Sequence, residues 1–280
     1  MEQKVTQQYL QVRSNAVVAY WLPLNTSHRR FNLQQPQLTP YSGTVTNHVK
    51  RRITSALDLL LQQADAKATA AATPEREKKL SVNFTTLTIA SQQNLEVREA
   101  YDKLLRPWLR YMKDKYALKN YVWKAEYQAR GQVHYHIAND IYLDWKVVRW
   151  KWNQLQRKER LLDDFARKHG HFNPNGTDVH PARNINEALD YMAKEMCKEN
   201  QNQIVTKGKI WDCSENLKQG RFSCEMNEEN EAMIDDAVQF KFAQKIESDN
   251  CIIIKTKEPL RLLSPAQNSF YANYISSLIK

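Results

Sequence analysis

Tyr121-Val122-Trp123-Lys124-Ala125-Glu126-Tyr127 is followed, after a short gap holding Ala129-Arg130-Gly131, by Val133-His134-Tyr135-His136-Ile137. Both stretches alternate apolar with polar side chains, the period of a strand that buries one face. The gap is short and carries a glycine, so the pair reads as a hairpin. Trp123, Ala125 and Tyr127 share one face of the first strand, and Lys124 and Glu126 the other. In the second strand Val133, Tyr135 and Ile137 lie opposite His134 and His136. Burying both apolar rows against one core forces Lys124, Glu126, His134 and His136 onto a shared polar face. A turn centred on Arg130 sets Glu126 across from His134, within side-chain contact. Two imidazoles and a carboxylate converging on a rigid sheet are a metal-binding arrangement. The other His-x-His pair, His169-Gly170-His171, follows a helical stretch where strand alternation does not apply, and it reads as a loop.

Outward from the hairpin, Asn83-Phe84-Thr85-Thr86-Leu87-Thr88-Ile89 is rich in β-branched residues and reads as a strand. Asn94 caps a helix to about Tyr116 that buries Leu104, Leu105, Trp108 and Met112, and Pro107 must kink or divide it. Asp144 opens another helix through Trp145, Val148, Trp152 and Leu155. A short helix ends near Gly170, a loop with Pro174 and Gly176 follows, and Asn184 caps a last helix to about Lys198. Strands interleaved with helices predict an α+β domain, an antiparallel sheet backed by helices, over residues 81–200. Residues 1–80 read as a loosely structured basic arm around His28-Arg29-Arg30, then a helix started by Thr46 or Asn47, then an Ala-, Lys- and Glu-rich linker or weak helix from Ala64. In residues 201–280 the pattern weakens: Ile204 to Trp211 and Cys251 to Thr256 are candidate strands, and Glu225 to Asp236 is acidic.

The chain has 280 residues, 42% of them hydrophobic, enough for a sizeable core and against wholesale disorder. The longest apolar run, Ala16 to Leu24, is interrupted by Pro23 and too short to span a bilayer, so no membrane partner is expected. No secretory leader pattern is evident, and four cysteines without C-x-x-C spacing read as free thiols in a reducing compartment, so a cytoplasmic location is expected. A net charge of +10 makes a polyanion the first partner to consider.

At 100° per residue, Ile185, Leu189, Met192, Ala193 and Met196 cluster on one side of the last helix, and Glu187, Tyr191, Lys194, Glu195 and Lys198 on the other. The first side is core. On the second, a tyrosine sits among lysines. A tyrosine hydroxyl is a poor nucleophile unless charge or a base assists it. Neighbouring lysines would favour phenolate and neutralise a pentacoordinate phosphate, while a divalent cation polarises the non-bridging oxygens. Basic charge, a two-His-plus-Glu face and a lysine-flanked tyrosine answer one reaction, transesterification of DNA.

With those residues in view, the sequence resembles the HUH endonuclease superfamily, specifically its rolling-circle replication initiators. Phe84-Thr85-Thr86-Leu87-Thr88 looks like the first strand motif, Gly131-Gln132-Val133-His134-Tyr135-His136 like the His-hydrophobe-His motif, and Tyr191-Met192-Ala193-Lys194 like the Tyr-x-x-Lys motif, in the family's order. The resemblance implies a ferredoxin-like or RNA-recognition-like core with less regular N- and C-terminal extensions. It implies that Tyr191 attacks single-stranded origin DNA, leaving a 5′-phosphotyrosine link and a free 3′ hydroxyl, and that the ends are later religated. His134, His136 and Glu126 would hold Mg²⁺ or Mn²⁺, and Lys194 would stabilise charge at the scissile phosphate. Lys124, Arg130 and Lys198 are the candidate DNA contacts. Two-tyrosine initiators resemble Tyr-x-x-Lys-Tyr-x-x-Lys, but Glu195 stands at the second tyrosine position. Glu187, one turn before Tyr191, or else Glu195, is then the candidate to activate water in termination. No P-loop motif occurs, so a host helicase and DNA polymerase in a bacterial cell are implied partners. Trp145, Trp150 and Trp152, among Lys146, Arg149 and Lys151, can stack bases of an opened strand, with core packing preferred for Trp145 and Trp152. A transposase or mobilisation relaxase of the same superfamily shares this chemistry, and a non-cleaving DNA-binding regulator is the other alternative.

Overall fold

The computed structural model describes residues 6–23, 45–73, 81–90, 95–128, 131–182, 184–196, 209–248 and 251–279. The strands in chain order are β1 Thr6–Arg13, β2 Ala16–Pro23, β3 Asn83–Thr88, β4 Tyr121–Tyr127, β5 Val133–Asn139, β6 Thr177–Pro181, β7 Trp211–Cys213, β8 Ser223–Glu225, β9 Ala243–Ser248 and β10 Cys251–Thr256. The α-helices are α1 Asn47–Ala70, α2 Val97–Ala100, α3 Arg106–Tyr116, α4 Trp145–Lys158, α5 Asp163–His169, α6 Ile185–Tyr191, α7 Glu228–Gln239 and α8 Pro265–Ile279. The fold is α+β, and the chain forms two compact units, Pro40–Lys218 and Met1–Thr39 with Gln219–Lys280.

In the unit Pro40–Lys218, five strands form an antiparallel sheet in the order β6-β3-β5-β4-β7. The hairpin register pairs Glu126 with His134 and Lys124 with His136. On the other side of β5, Thr86 pairs with His136 and Thr88 with His134. One sheet face carries Leu87, Trp123, Ala125, Val133, Tyr135 and Ile137 into a core with Leu104, Leu105, Trp108, Met112, Val148 and Trp152. Fully burying one such side chain stabilises by about 1.5–3 kcal/mol. Pro107 divides its helix as expected: α2 and α3 are joined by a π-helical turn, Tyr101–Leu105, which accommodates the hydrogen bond that proline cannot make. Asn94, the expected cap, lies outside the described residues. Asp144 accepts from Lys146 N at 2.7 Å and starts α4 as expected.

Thr46 caps α1, its Oγ1 accepting from Val49 N at 3.3 Å. The helix continues to Ala70, well into the segment expected as linker or weak helix. Tertiary contacts sustain it. Gln63 accepts from Asn120 Nδ2 at 2.9 Å, the same amide donates to Asp140 Oδ2 at 2.7 Å, and Lys67 pairs with Asp140.

The other unit corrects the sequence reading of residues 6–23, which form a hairpin rather than a loosely structured arm. Its sheet has the order β8-β1-β2-β10-β9, antiparallel throughout. Leu10 faces Ala19 and Val12 faces Val17, and all four are buried. The strand expected at Cys251–Thr256 is present as β10, and the acidic run becomes α7, opened by a reciprocal Asn227–Asn230 capping box. Among the described residues no helix is long and apolar enough to cross a membrane.

Candidate active site

Alternation along β4 and β5 puts Lys124, Glu126, His134 and His136 on the sheet face opposite the core just described. One ligand atom each from Glu126, His134 and His136 lies within 4.8 Å of the others. His136 Nε2 is 3.0 Å from Glu126 Oε1. His134 Nδ1 meets Thr88 Oγ1 at 2.8 Å and Gln128 Nε2 at 3.0 Å. Donating Nδ1–H to Thr88 would leave the Nε2 lone pair for a cation. Lys124 lies beneath this group, fully buried, its Nζ 3.6 Å from Glu126 Oε2 and donating to the Glu195 carbonyl at 3.1 Å. That position corrects the surface DNA contact expected of Lys124. The turn that carries Glu195 packs over its strand position, and the ammonium is held between a carboxylate and a carbonyl instead of reaching solvent.

Burial pushes the Glu126 carboxyl upward, but the His136 hydrogen bond and the charges of His136, Lys124 and His134 outweigh it and hold it down at about 2. Burial, then His136, lowers His134 to about 4 against the pull of Glu126. At neutral pH the face therefore offers an ionised carboxylate and a neutral His134 imidazole. One carboxylate and two imidazoles are a donor set that fits a divalent cation.

Asn184 caps α6 as expected, accepting from Glu187 N at 2.9 Å. The helix ends at Tyr191 and passes into a π-helical turn, Met192–Met196. The Tyr191 ring lies on Phe84 with centroids 4.1 Å apart and meets His180 edge-on at 5.1 Å. Its hydroxyl reaches 3.5 Å from His136 Nδ1. Thus His136 faces Glu126 with one ring nitrogen and Tyr191 with the other. Burial, with the negative charges of Glu195, Asp178 and Glu126, raises the Tyr191 hydroxyl above its ordinary value, while a hydrogen bond with Thr86 pulls it back. This differs from the expectation that neighbouring lysines would favour phenolate. Lys194 is exposed, and the strongest charges acting on the hydroxyl are carboxylates.

Residues 82–200 match the sequence pattern of the replication-associated protein ORF2 family. That similarity supports a replication initiator of the Rep type. The matched segment runs from just before β3 to just beyond the π-helical turn, and it contains Glu126, His134, His136 and Tyr191. No curated protein and no solved structure matches the chain significantly.

Glu187 is exposed on the first turn of α6, and Glu195 is half-buried in the π-helical turn. Arg130 and Lys198 lie outside the described residues. Sequence reasoning left Thr86, Thr88 and Gln128 without roles, and it did not single out Asp178 or His180. Alternation was the available signal for the threonines, since residues two apart on β3 share a face with the histidines they pair with. Asp178 and His180 follow the same rule on β6, opposite Thr86 and Phe84. Trp152 is core, as preferred, its Nε1 donating to Thr88 O at 2.8 Å. Trp145 departs from that preference, being 46% exposed.

Proposed function

We propose that the protein initiates rolling-circle replication by nicking single-stranded origin DNA through Tyr191, with residues 81–200 as the nuclease part. The observation that carries this reading is the convergence of three separate sequence stretches: the Tyr191 hydroxyl stands 3.5 Å from an imidazole that also contacts Glu126. In the transfer, Tyr191 Oη loses its proton and bonds to the scissile phosphorus. The bond from phosphorus to the 3′-side oxygen breaks, and that oxygen takes a proton to become the 3′ hydroxyl. The protein keeps the 5′ phosphate as a phosphotyrosine ester, and attack by a 3′ hydroxyl reverses the step to religate the strand.

Glu126, His134 and His136 would hold Mg²⁺ or Mn²⁺. Such a cation, when bound, draws electron density from the non-bridging phosphate oxygens. His136 Nδ1 orients the nucleophilic oxygen and holds a proton next to it, a contact that must tighten from its present length. The Phe84 and His180 rings fix the tyrosine ring, so the hydroxyl approaches in one direction. Lys194, exposed beside the tyrosine, neutralises charge on the phosphate, and Glu187 activates the water that ends the cycle. Helicase and polymerase come from the host in this reading, which places the protein in the bacterial cytoplasm.

The test is a denaturing gel of single-stranded DNA from the replicon's origin region incubated with protein and Mn²⁺. A covalent band from wild type, absent with Tyr191→Phe and with EDTA, is expected. Adduct persisting in Tyr191→Phe would overturn the assignment of the nucleophile, and no adduct from wild type on any origin strand would overturn the nickase. For Glu187→Gln the expected result is nicking without termination, and unchanged termination would remove that role.

A further inference from the structure

Away from the Glu126–His134–His136 face, α4 and the loop after α5 enclose an open groove of roughly 580 Å³. Trp145, Trp150 and Phe172 line it with Lys146, Arg149 and Arg157, and no carboxylate is among its described lining residues. The rings are 46%, 53% and 39% exposed, which core packing does not account for. Cations lie over them: Arg149 Cζ is 4.8 Å from the Trp145 centroid, Arg157 Cζ 4.5 Å from Phe172, and Lys151 Nζ 5.9 Å from Trp150. Amides floor the groove, with Asn153 Nδ2 donating to Asn173 Oδ1 at 2.9 Å.

Hydrogen bonds connect this groove to the candidate active site. Asn153 also donates to Pro174 O at 3.2 Å, and Arg149 bonds Asn175. Gly176 O then accepts from Thr88 N at 2.7 Å, and Thr88 Oγ1 contacts His134 Nδ1 at 2.8 Å. A Cβ on Gly176 would sit 2.9 Å from Thr88 O, so the loop runs as close to the end of β3 as backbone allows.

We propose that this groove is a second DNA site, which holds bases of the single strand flanking the phosphate presented to Tyr191. Alternating rings and cations without acids suit unpaired bases on a phosphate backbone, because the rings stack on base faces and the cations reach phosphates. A duplex keeps its base faces stacked inside and leaves the rings without a partner. The inference rests on the reading of the protein as a DNA initiator, yet it is separable from cleavage.

The test measures fluorescence anisotropy of a labelled single strand of about 30 nucleotides of mixed sequence, bound to the full-length protein in EDTA. Trp145→Ala and Trp150→Ala are each expected to weaken binding about fivefold to a hundredfold, the range of one lost base stack, with Trp150→Phe restoring most of it. Lys146→Ala and Arg157→Ala should each lower the slope of log affinity against log salt by about 0.7. The exposed positions let circular dichroism and Tm verify that the variants fold. Affinity within twofold of wild type in both alanine variants would overturn the groove. Equal losses on a blunt duplex would overturn its preference for single strands. Covalent adduct with groove variants that bind normally defeats this proposal alone, whereas tryptophan-dependent binding without any adduct defeats only the nickase reading.

Discussion

Lys124→Met is the perturbation whose size follows most directly from the structure. Methionine keeps the length and apolar stem but removes an ammonium that is fully buried, 3.6 Å from Glu126 and bonded to the Glu195 carbonyl. Breaking a buried ion pair by deleting one partner costs about 3–5 kcal/mol, because the other charge stays desolvated. The Glu126 side chain keeps 20% exposure and its bond from His136, so the lower end applies, about 3 kcal/mol. For a unit the size of Pro40–Lys218 this is a fall in Tm of about 6–12 °C. Urea unfolding in EDTA at neutral pH, followed by circular dichroism, reads the loss as a lower midpoint at constant m. Adding Glu126→Gln removes the stranded charge, so the double variant should recover about 1–2 kcal/mol relative to additive single losses. A cost below about 1 kcal/mol for Lys124→Met, or a double variant no more stable than the sum of singles, would refute the claim that Lys124 serves Glu126 rather than solvent.

Thr88→Val removes the hydroxyl facing His134 Nδ1, and Mn²⁺ affinity measured by calorimetry should fall about tenfold to a hundredfold while the β3 backbone pairing persists. Asn184→Ala, which removes the cap oxygen bonded to Glu187 N, should cost about 0.5–2 kcal/mol in urea unfolding and loosen the helix that carries Tyr191. Burial raises the Cys213 and Cys224 thiols to about 11, so native-state alkylation by iodoacetamide should be slow at pH 8 and rise about tenfold per pH unit toward that value. Because the unfolded thiols ionise first, the same shifts reduce stability as pH climbs from the unfolded value toward 11, and a flat stability profile across that window would contradict them.

What was legible in the sequence is what depends on neighbours a few residues away. Alternation in Tyr121–Tyr127 and Val133–Ile137, together with the short turn, sets the register that puts Glu126 opposite His134. Thr46, Asp144 and Asn184 cap their helices because capping is a contact across two or three residues. The β1–β2 hairpin was not legible because Thr6–Arg13 mixes glutamines and a tyrosine with Leu10 and Val12, and β2 is secured on its other side by β10, more than 200 residues later.

The site divides along the same line. Periodicity states which face of an element a side chain occupies, but its depth depends on what covers that face. Trp145 and Trp152 both belong to the apolar pattern of α4, yet Trp152 is sealed under the sheet with its indole on Thr88, while Trp145 opens onto the groove. Lys124 shows the converse. Its position on the polar face was correct, and polar on a strand ordinarily means wet. The segment that takes its ammonium, the Glu195 carbonyl in the π-helical turn, lies 71 residues on. The helix that presents Tyr191 thus continues into the turn that Lys124 grips, and Lys124 also faces Glu126. One buried ammonium in this way links the nucleophile's helix to the metal-binding face, which explains why a charge in the centre of the sheet is retained at all.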